Sequence, residues 1–223
     1  LFILDHGPAY RTGLAGEHFA TGLSPEDANR FAAVHFDRKN YGVWQEGTST
    51  RPFPSDLACR TVVFDTTYFD LGKAENVHGM VSWGAHDPGS PPGSHPAGLM
   101  DEIHERFGRY PAGPWIYGLA WNSVGDSKAM GTGLAKAVNL RADIAEWLFT
   151  ERMPDWELAL LTVSEAHSVI EGLWHGVDPE HPLHAVPSAL AAGEGVKNVY
   201  RAIDRLIGRL KSRLPGVTLV VFS

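Results

Sequence analysis

Cysteine is nearly absent. Cys59 is the only one in 223 residues, so no intrachain disulfide can form and thiol chemistry points to no compartment. Long apolar runs are missing too, and none approaches the ~20 residues of a membrane-spanning helix. Basic charge is in deficit: 19 Lys and Arg stand against 26 Asp and Glu, for a net charge of −7. That balance excludes a nucleic-acid scaffold, whose affinity rests on Lys and Arg neutralising phosphates. A small phosphorylated substrate stays open, because a local metal site outweighs global charge. The opening "LFILDHG" carries no initiator Met and no basic leader region, so no signal peptide is expected and the compartment stays unassigned. Leu1 to Leu4 read as a strand already under way and "TLVVFS" as a strand with nothing after it, so both ends read as cut.

What is present is ordinary for a globular α/β protein: 43% apolar and 20% charged residues, with no repeat and no low-complexity tract. Ser24-Pro25-Glu26-Asp27 spells a helix start, with Ser as N-cap and Pro in the first turn. "RTVVFDTTYF" (60–69) reads as a strand and "VHGMVSW" (77–83) as a weaker one. The Pro/Gly stretch 86–98 reads as a loop, 99–107 as a short helix closed by Gly108, and 110–131 as irregular. Leu134, Ala137, Val138, Ile144, Ala145 and Leu148 fall at helical spacing, and Pro154 stops that helix. "WELALLTVS" (156–164) is an apolar strand, 196–210 an amphipathic helix, and 217–223 another buried strand. The expected fold is α/β, a mostly parallel sheet sandwiched between helices, as one domain over 1–223 with an irregular, cap-like segment at about 86–131.

In such sheets ligands sit beyond the carboxyl ends of the strands. Just past the strand at 156–164, "SEAHSVIEGLWHGVDPEHPLH" places His167, His175, His181 and His184 among Glu165, Glu171, Asp178 and Glu180. His167 and Glu171 stand four apart, facing one way on a helical turn, and both are donors that zinc accepts. Manganese or iron accepts them as well. A plain His–Glu hydrogen bond without a metal is the alternative. His175, His181 and His184 read as surface or packing residues.

A second stretch, "YRTGLAGEHFATGLSPEDA" (10–28), places Thr12 at the start of a possible short helix. A hydroxyl there sits beside free N–H groups and the positive end of the dipole, which favour an anion. Thr12 either caps the helix or serves as a nucleophile. Glu17 and His18 read equally as groups supporting Thr12 or as a solvated turn.

These segments resemble the type I phosphodiesterase/nucleotide pyrophosphatase family of the alkaline phosphatase superfamily. That family shows a nucleophilic Thr, a short helix, then Thr-Gly-x-x-Pro-Glu; here Thr12 is followed at that spacing by Thr21-Gly22-Leu23-Ser24-Pro25-Glu26. Residues 51–88 and 199–223 are similar to later family segments in the expected order, the second through Tyr200, Asp204, Gly208 and Leu210. Where the family carries Glu-x-Asp-x-x-x-His, this chain has Glu165-Ala166-His167-Ser168-Val169-Ile170-Glu171, followed by Trp174-His175 and Asp178-Pro179-Glu180-His181-Pro182. His167 thus stands where the family has Asp, and Glu171 where it has His.

The resemblance implies an incomplete alkaline-phosphatase-like core and two divalent metals, zinc first. Thr12, His167 and Glu171 would be ligands, and the reaction would hydrolyse a phosphodiester or nucleotide pyrophosphate through a phospho-threonine. Asp5-His6-Gly7 spells the family's metal motif but precedes Thr12, whereas the family has it after the strand equivalent to 217–223; it is given no role. The family's remaining ligands are not found, so the chain reads as a portion of a larger enzyme. Two other readings stand beside hydrolysis: a binding protein for a phosphorylated ligand or partner, and a phospho- or sulfo-group transferase. Trp83, Trp115, Tyr117 and Trp121 read as core or as a stacking surface for a base or sugar.

Overall fold

The computed structural model describes residues 2–4, 60–66, 71, 76–84, 92–116, 118 and 120–222. Thr12, Glu17, His18, Asp5-His6-Gly7, Tyr117 and the helix start at Ser24 lie outside the described residues. Six strands, β1 (Phe2–Leu4), β2 (Thr61–Thr66), β3 (Val77–Val81), β4 (Gly93–His95), β5 (Leu158–Thr162) and β6 (Val220–Phe222), form one sheet in the order β4-β3-β2-β5-β1-β6. Every neighbouring pair is parallel except β3 with β4. Four helices are described: α1 (Leu99–Phe107), α2 (Val124–Trp147), α3 (Glu165–Leu173) and α4 (Ala189–Arg213). The chain is thus mixed α/β with a mostly parallel sheet and flanking helices, as its alternation of apolar strands and amphipathic helices predicts; the helices expected on both faces are, among the described residues, on one face only.

Alternate residues of a strand point to opposite faces, and the core divides accordingly. Val62, Phe64, Met80, Ala159 and Leu161 join one large cluster with Ile103 of α1, Leu134 of α2, Val169 of α3 and Val199 of α4. Val63, Val77 and Leu160 form a smaller cluster on the other face, with Leu71 and Leu158 against them. All four described helices therefore pack into the core of a single face.

The two long helices run parallel. Gly131 meets Gly195, while further along Asp143 and Glu146 of α2 pair with Arg209 and Arg213 of α4. A Cβ on Gly131 would sit 2.5 Å from the Gly195 Cα, so this approach requires glycine.

Local differences from the sequence reading have physical causes. The Pro/Gly stretch holds the three-residue β4, which pairs antiparallel with β3. The region expected to be irregular up to 131 becomes helical at Val124, because the Ser123 hydroxyl accepts from the Asp126 N–H at 2.9 Å and caps α2. α4 likewise begins earlier than expected, at Ala189. The strand expected to be buried at the end of the chain is exposed: Val220 and Val221 are 39% and 52% accessible, and among the described strands β6 has only β1 beside it. The helix ahead of Pro154 does stop there, through a π turn over Leu148–Arg152.

Candidate functional site at the carboxyl edge of the sheet

At the carboxyl ends of β2, β3 and β5 lies a buried ionic centre that the sequence reading did not single out. Arg141, on α2, is fully buried. Its Nη1 lies 2.7 Å from Asp65 Oδ2, and its Nη2 and Nε bond Glu165 Oε1 and Oε2 at 2.8 and 3.1 Å. The guanidinium thus forks onto one carboxylate and reaches a second, and both carboxylates are as inaccessible as the arginine itself. Its Cζ sits 5.4 Å from the Phe64 ring centre and 5.3 Å from that of Trp83, so two aromatic faces also border the cation. Burial alone would lower the arginine's pKa; the charges of Glu165 and Asp65 outweigh it and hold the group above its ordinary value.

Each acid is held by backbone or by a neighbouring side chain. Asp65 adopts φ 56°, the left-handed region that Asp tolerates better than most residues, at a break in the β2–β3 register. It accepts from the Trp83 N–H, and from the Gly84 N–H at 2.9 Å. Glu165, in the first turn of α3, is forked by Arg141 and lies close enough to Tyr110 for its charge to act on the phenol. That tyrosine is pushed well above its ordinary pKa, first by burial and then by the charge of Glu165. Gly84 lies so close that a Cβ there would be 2.4 Å from the Tyr110 ring and 2.9 Å from Arg141 Nη2.

Anchoring Glu165 fixes the direction in which α3 leaves the sheet. His167 lies two residues on, about 200° around the helix, and so turns away from the ionic centre. Glu171 follows one turn later on the same side. His167 Nε2 and Glu171 Oε1 are 3.2 Å apart, with the side chains 17% and 35% exposed. The expected imidazole–carboxylate pair is therefore formed, on a helix that starts at the carboxyl end of β5. The hydroxyls of Ser82 and Ser164 and the indole N–H of Trp83 are buried at the same edge without hydrogen-bond partners among the described residues. Buried polar groups left this way are uncommon, and three at one rim mark it as polar ground. No group of three or more His, Cys, Asp or Glu side chains placed to hold a metal occurs among the described residues.

The other histidines of this stretch, His175, His181 and His184, belong to the packing of one loop. His175 is buried, with Nε2 at 3.3 Å from Ser188 Oγ; His184 Nδ1 meets the His175 carbonyl at 2.8 Å, and His181 Nδ1 accepts from the Leu183 N–H. Burial first, then the charges of His181 and His184, lower the pKa of His175. Among the aromatics, Trp83 is core, Trp115 is half-buried and Trp121 is exposed.

Two signals for the ionic centre were present in the sequence. Arg141 occupies the apolar stripe Leu134, Val138, Arg141, Ala145, Leu148, where a charge has no access to water. Asp65 interrupts the strand "TVVFDT" in the same way. Glu165 lay in the quoted motif without a role.

Among the described residues, no helix is long and apolar enough to cross a membrane. Comparison of the chain with protein families, with curated proteins and with solved structures found no match.

Proposed function

We propose that the chain forms part of a metal-dependent hydrolase of phosphate esters, phosphodiesters or nucleotide pyrophosphates, built on an alkaline-phosphatase-like core. The observation that carries this reading is the His167–Glu171 pair at the rim where an open parallel sheet receives ligands. Its donor geometry suits a metal: two ligands at ~2.0–2.1 Å in a tetrahedral shell lie roughly 3.3 Å apart, close to the 3.2 Å between Nε2 and Oε1. His167, Glu171 and Thr12 would supply three donors. A divalent metal bound there supplies a lowered hydroxyl pKa and neutralises charge on the phosphoryl oxygens.

The chain's own groups account for the rest. Thr12 Oγ1 would attack phosphorus as the P–O bond to the leaving group breaks, and the hydroxyl proton ends on the departing alcohol or phosphate oxygen. Water then cleaves the phospho-threonine to return the hydroxyl and release phosphate or its monoester. Reach is no obstacle. β1 ends at Leu4, level with Thr162 of the adjacent β5, and the eight residues from there to Thr12 span at most roughly 26–29 Å.

The complete protein, assayed with an aryl phosphodiester, should lose at least ~10³-fold in turnover on Thr12→Ala, a typical scale for removing a reacting group, with its circular dichroism unchanged. Turnover at the original rate would remove Thr12 as nucleophile. One observation favours a second reading, a binding protein without turnover. His167 and Glu171 already pair with each other at 3.2 Å, and no group of three or more His, Cys, Asp or Glu side chains placed to hold a metal occurs among the described residues. Tight binding of a phosphodiester by the original chain with no product formed would establish that second reading.

A further inference from the structure

The outer seam between α2 and α4 has an unbalanced row of charges. Along α4, Arg201, Arg205, Arg209 and Arg213 succeed one another at helical spacing on the side facing α2. α2 answers the last two with acids: Arg209 pairs with Asp143 and Glu146, and Arg213 with Glu146 at 2.6 Å. One and two turns earlier, the corresponding positions of α2 carry Asn139, Lys136 and Thr132. There the seam opens into a cavity of about 360 Å³ lined by Thr132, Lys136 and Asn139 from α2 and by Asn198, Arg201 and Arg205 from α4. No carboxylate lines it among the described residues. Arg201 Nη1 donates to Asn198 Oδ1 at 3.3 Å, which leaves that amide's N–H groups as further donors.

We infer that this groove is an anion site for an oligophosphate, either free or as the phosphate tail of a nucleotide. Three cations converge with neutral donors and no carboxylate in the lining, on a chain whose net charge is −7; Glu194, an acid of α4 outside that lining, is paired with Lys197 at 2.9 Å. Their mutual repulsion is relieved by a ligand carrying several negative charges in a short length. Arginine forks match phosphoryl oxygens two at a time, and Lys136 adds a point charge between them. Length decides against an acidic peptide. Thr132 to Asn139 covers two helical turns, roughly 10 Å, before the Arg209–Asp143 pair closes the seam. About three residues of extended peptide fit in that span, and alternate ones point away. A di- or triphosphate places all its charge there. The groove lies on the helical seam rather than among the strand ends, and the inference does not depend on the proposed hydrolase.

The test is calorimetric titration of the full chain with inorganic tripolyphosphate and with adenosine triphosphate, at low ionic strength in EDTA so that no metal site contributes. Saturable binding with a one-to-one end point is expected, weakening at least tenfold in Arg205→Ala and vanishing in Arg201→Ala/Arg205→Ala. Equal affinity for the two probes identifies the bare phosphate chain as the ligand; tighter binding of the nucleotide identifies its tail. Lys136→Glu gives an independent readout. It supplies the acid that the groove lacks, so it should abolish binding while raising the melting temperature of the unliganded protein. All these side chains are exposed, and the variants should keep the native circular dichroism. The inference is overturned if neither probe binds the original chain below millimolar concentration, or if the double arginine variant binds as tightly as the original.

Discussion

At the scale of single residues, the largest energetic commitment is Arg141. Removing one partner from a buried ion pair leaves a charge with neither water nor counter-ion, which costs about 3–5 kcal/mol. Arg141→Met should therefore lower the stability measured by urea unfolding by that amount, since it leaves Asp65 and Glu165 without their shared cation. A loss under ~1 kcal/mol would mean that the three groups are not held as ions. His175 sets a second dependence. Its pKa is depressed below 6.5 in the folded protein, so the unfolded chain takes up a proton first as the pH falls. Its contribution is fully present above pH 6.5 and is lost on acidification through the lower folded value. Urea unfolding between pH 7 and 5 should show that decline, and His175→Gln should flatten it; an unchanged slope would detach it from this residue.

Among the elements, legibility followed the period of the apolar pattern. β2, β3, β5 and α1 were readable because each is a continuous apolar run or a short periodic one bounded by Gly or Pro. The first turns of α2 were not, because Gly125, Gly131 and Gly133 make a poor helix on propensity alone. Those glycines reflect packing. Gly131 lies against Gly195, and a Cβ on Gly133 would come within 3.3 Å of the Trp115 indole, so tertiary contact decides a stretch that local preference would leave irregular. Gly131→Val tests this. Pushing the parallel helices apart should cost about 1–3 kcal/mol, as other overpacked cores do. The melting temperature should then fall by roughly 2–4 °C for each kcal/mol. A value equal to the original would show that the helices do not depend on this close approach. The ionic centre was harder to read, since a lone Arg in a helix normally marks a solvated face and only its place in the stripe betrays it.

For the molecule as a whole, parallel pairing gathers distant segments at one rim. β5 lies between β1 and β2 and all three run parallel, so Leu4, Thr66 and Thr162 end their strands at the same edge although they are far apart in sequence. That convergence was legible as a rule about parallel sheets. The strand order was not, because no single segment encodes which strands become neighbours. The same arrangement gives the proposed metal site a global readout, because a ligand bound only by the folded chain stabilises all of it. Zinc at a hundred times its dissociation constant should add about 2.7 kcal/mol to unfolding, a rise of roughly 5–11 °C for a chain of this size. The rise should disappear in His167→Ala/Glu171→Ala, whose unliganded melting temperature should change little because both side chains are partly exposed and the pair is worth at most ~1 kcal/mol. The double variant separates zinc held by this pair from zinc held anywhere else. If the full rise survives the loss of His167 and Glu171, the metal sits elsewhere, and the carboxyl rim has no claim to phosphoester chemistry.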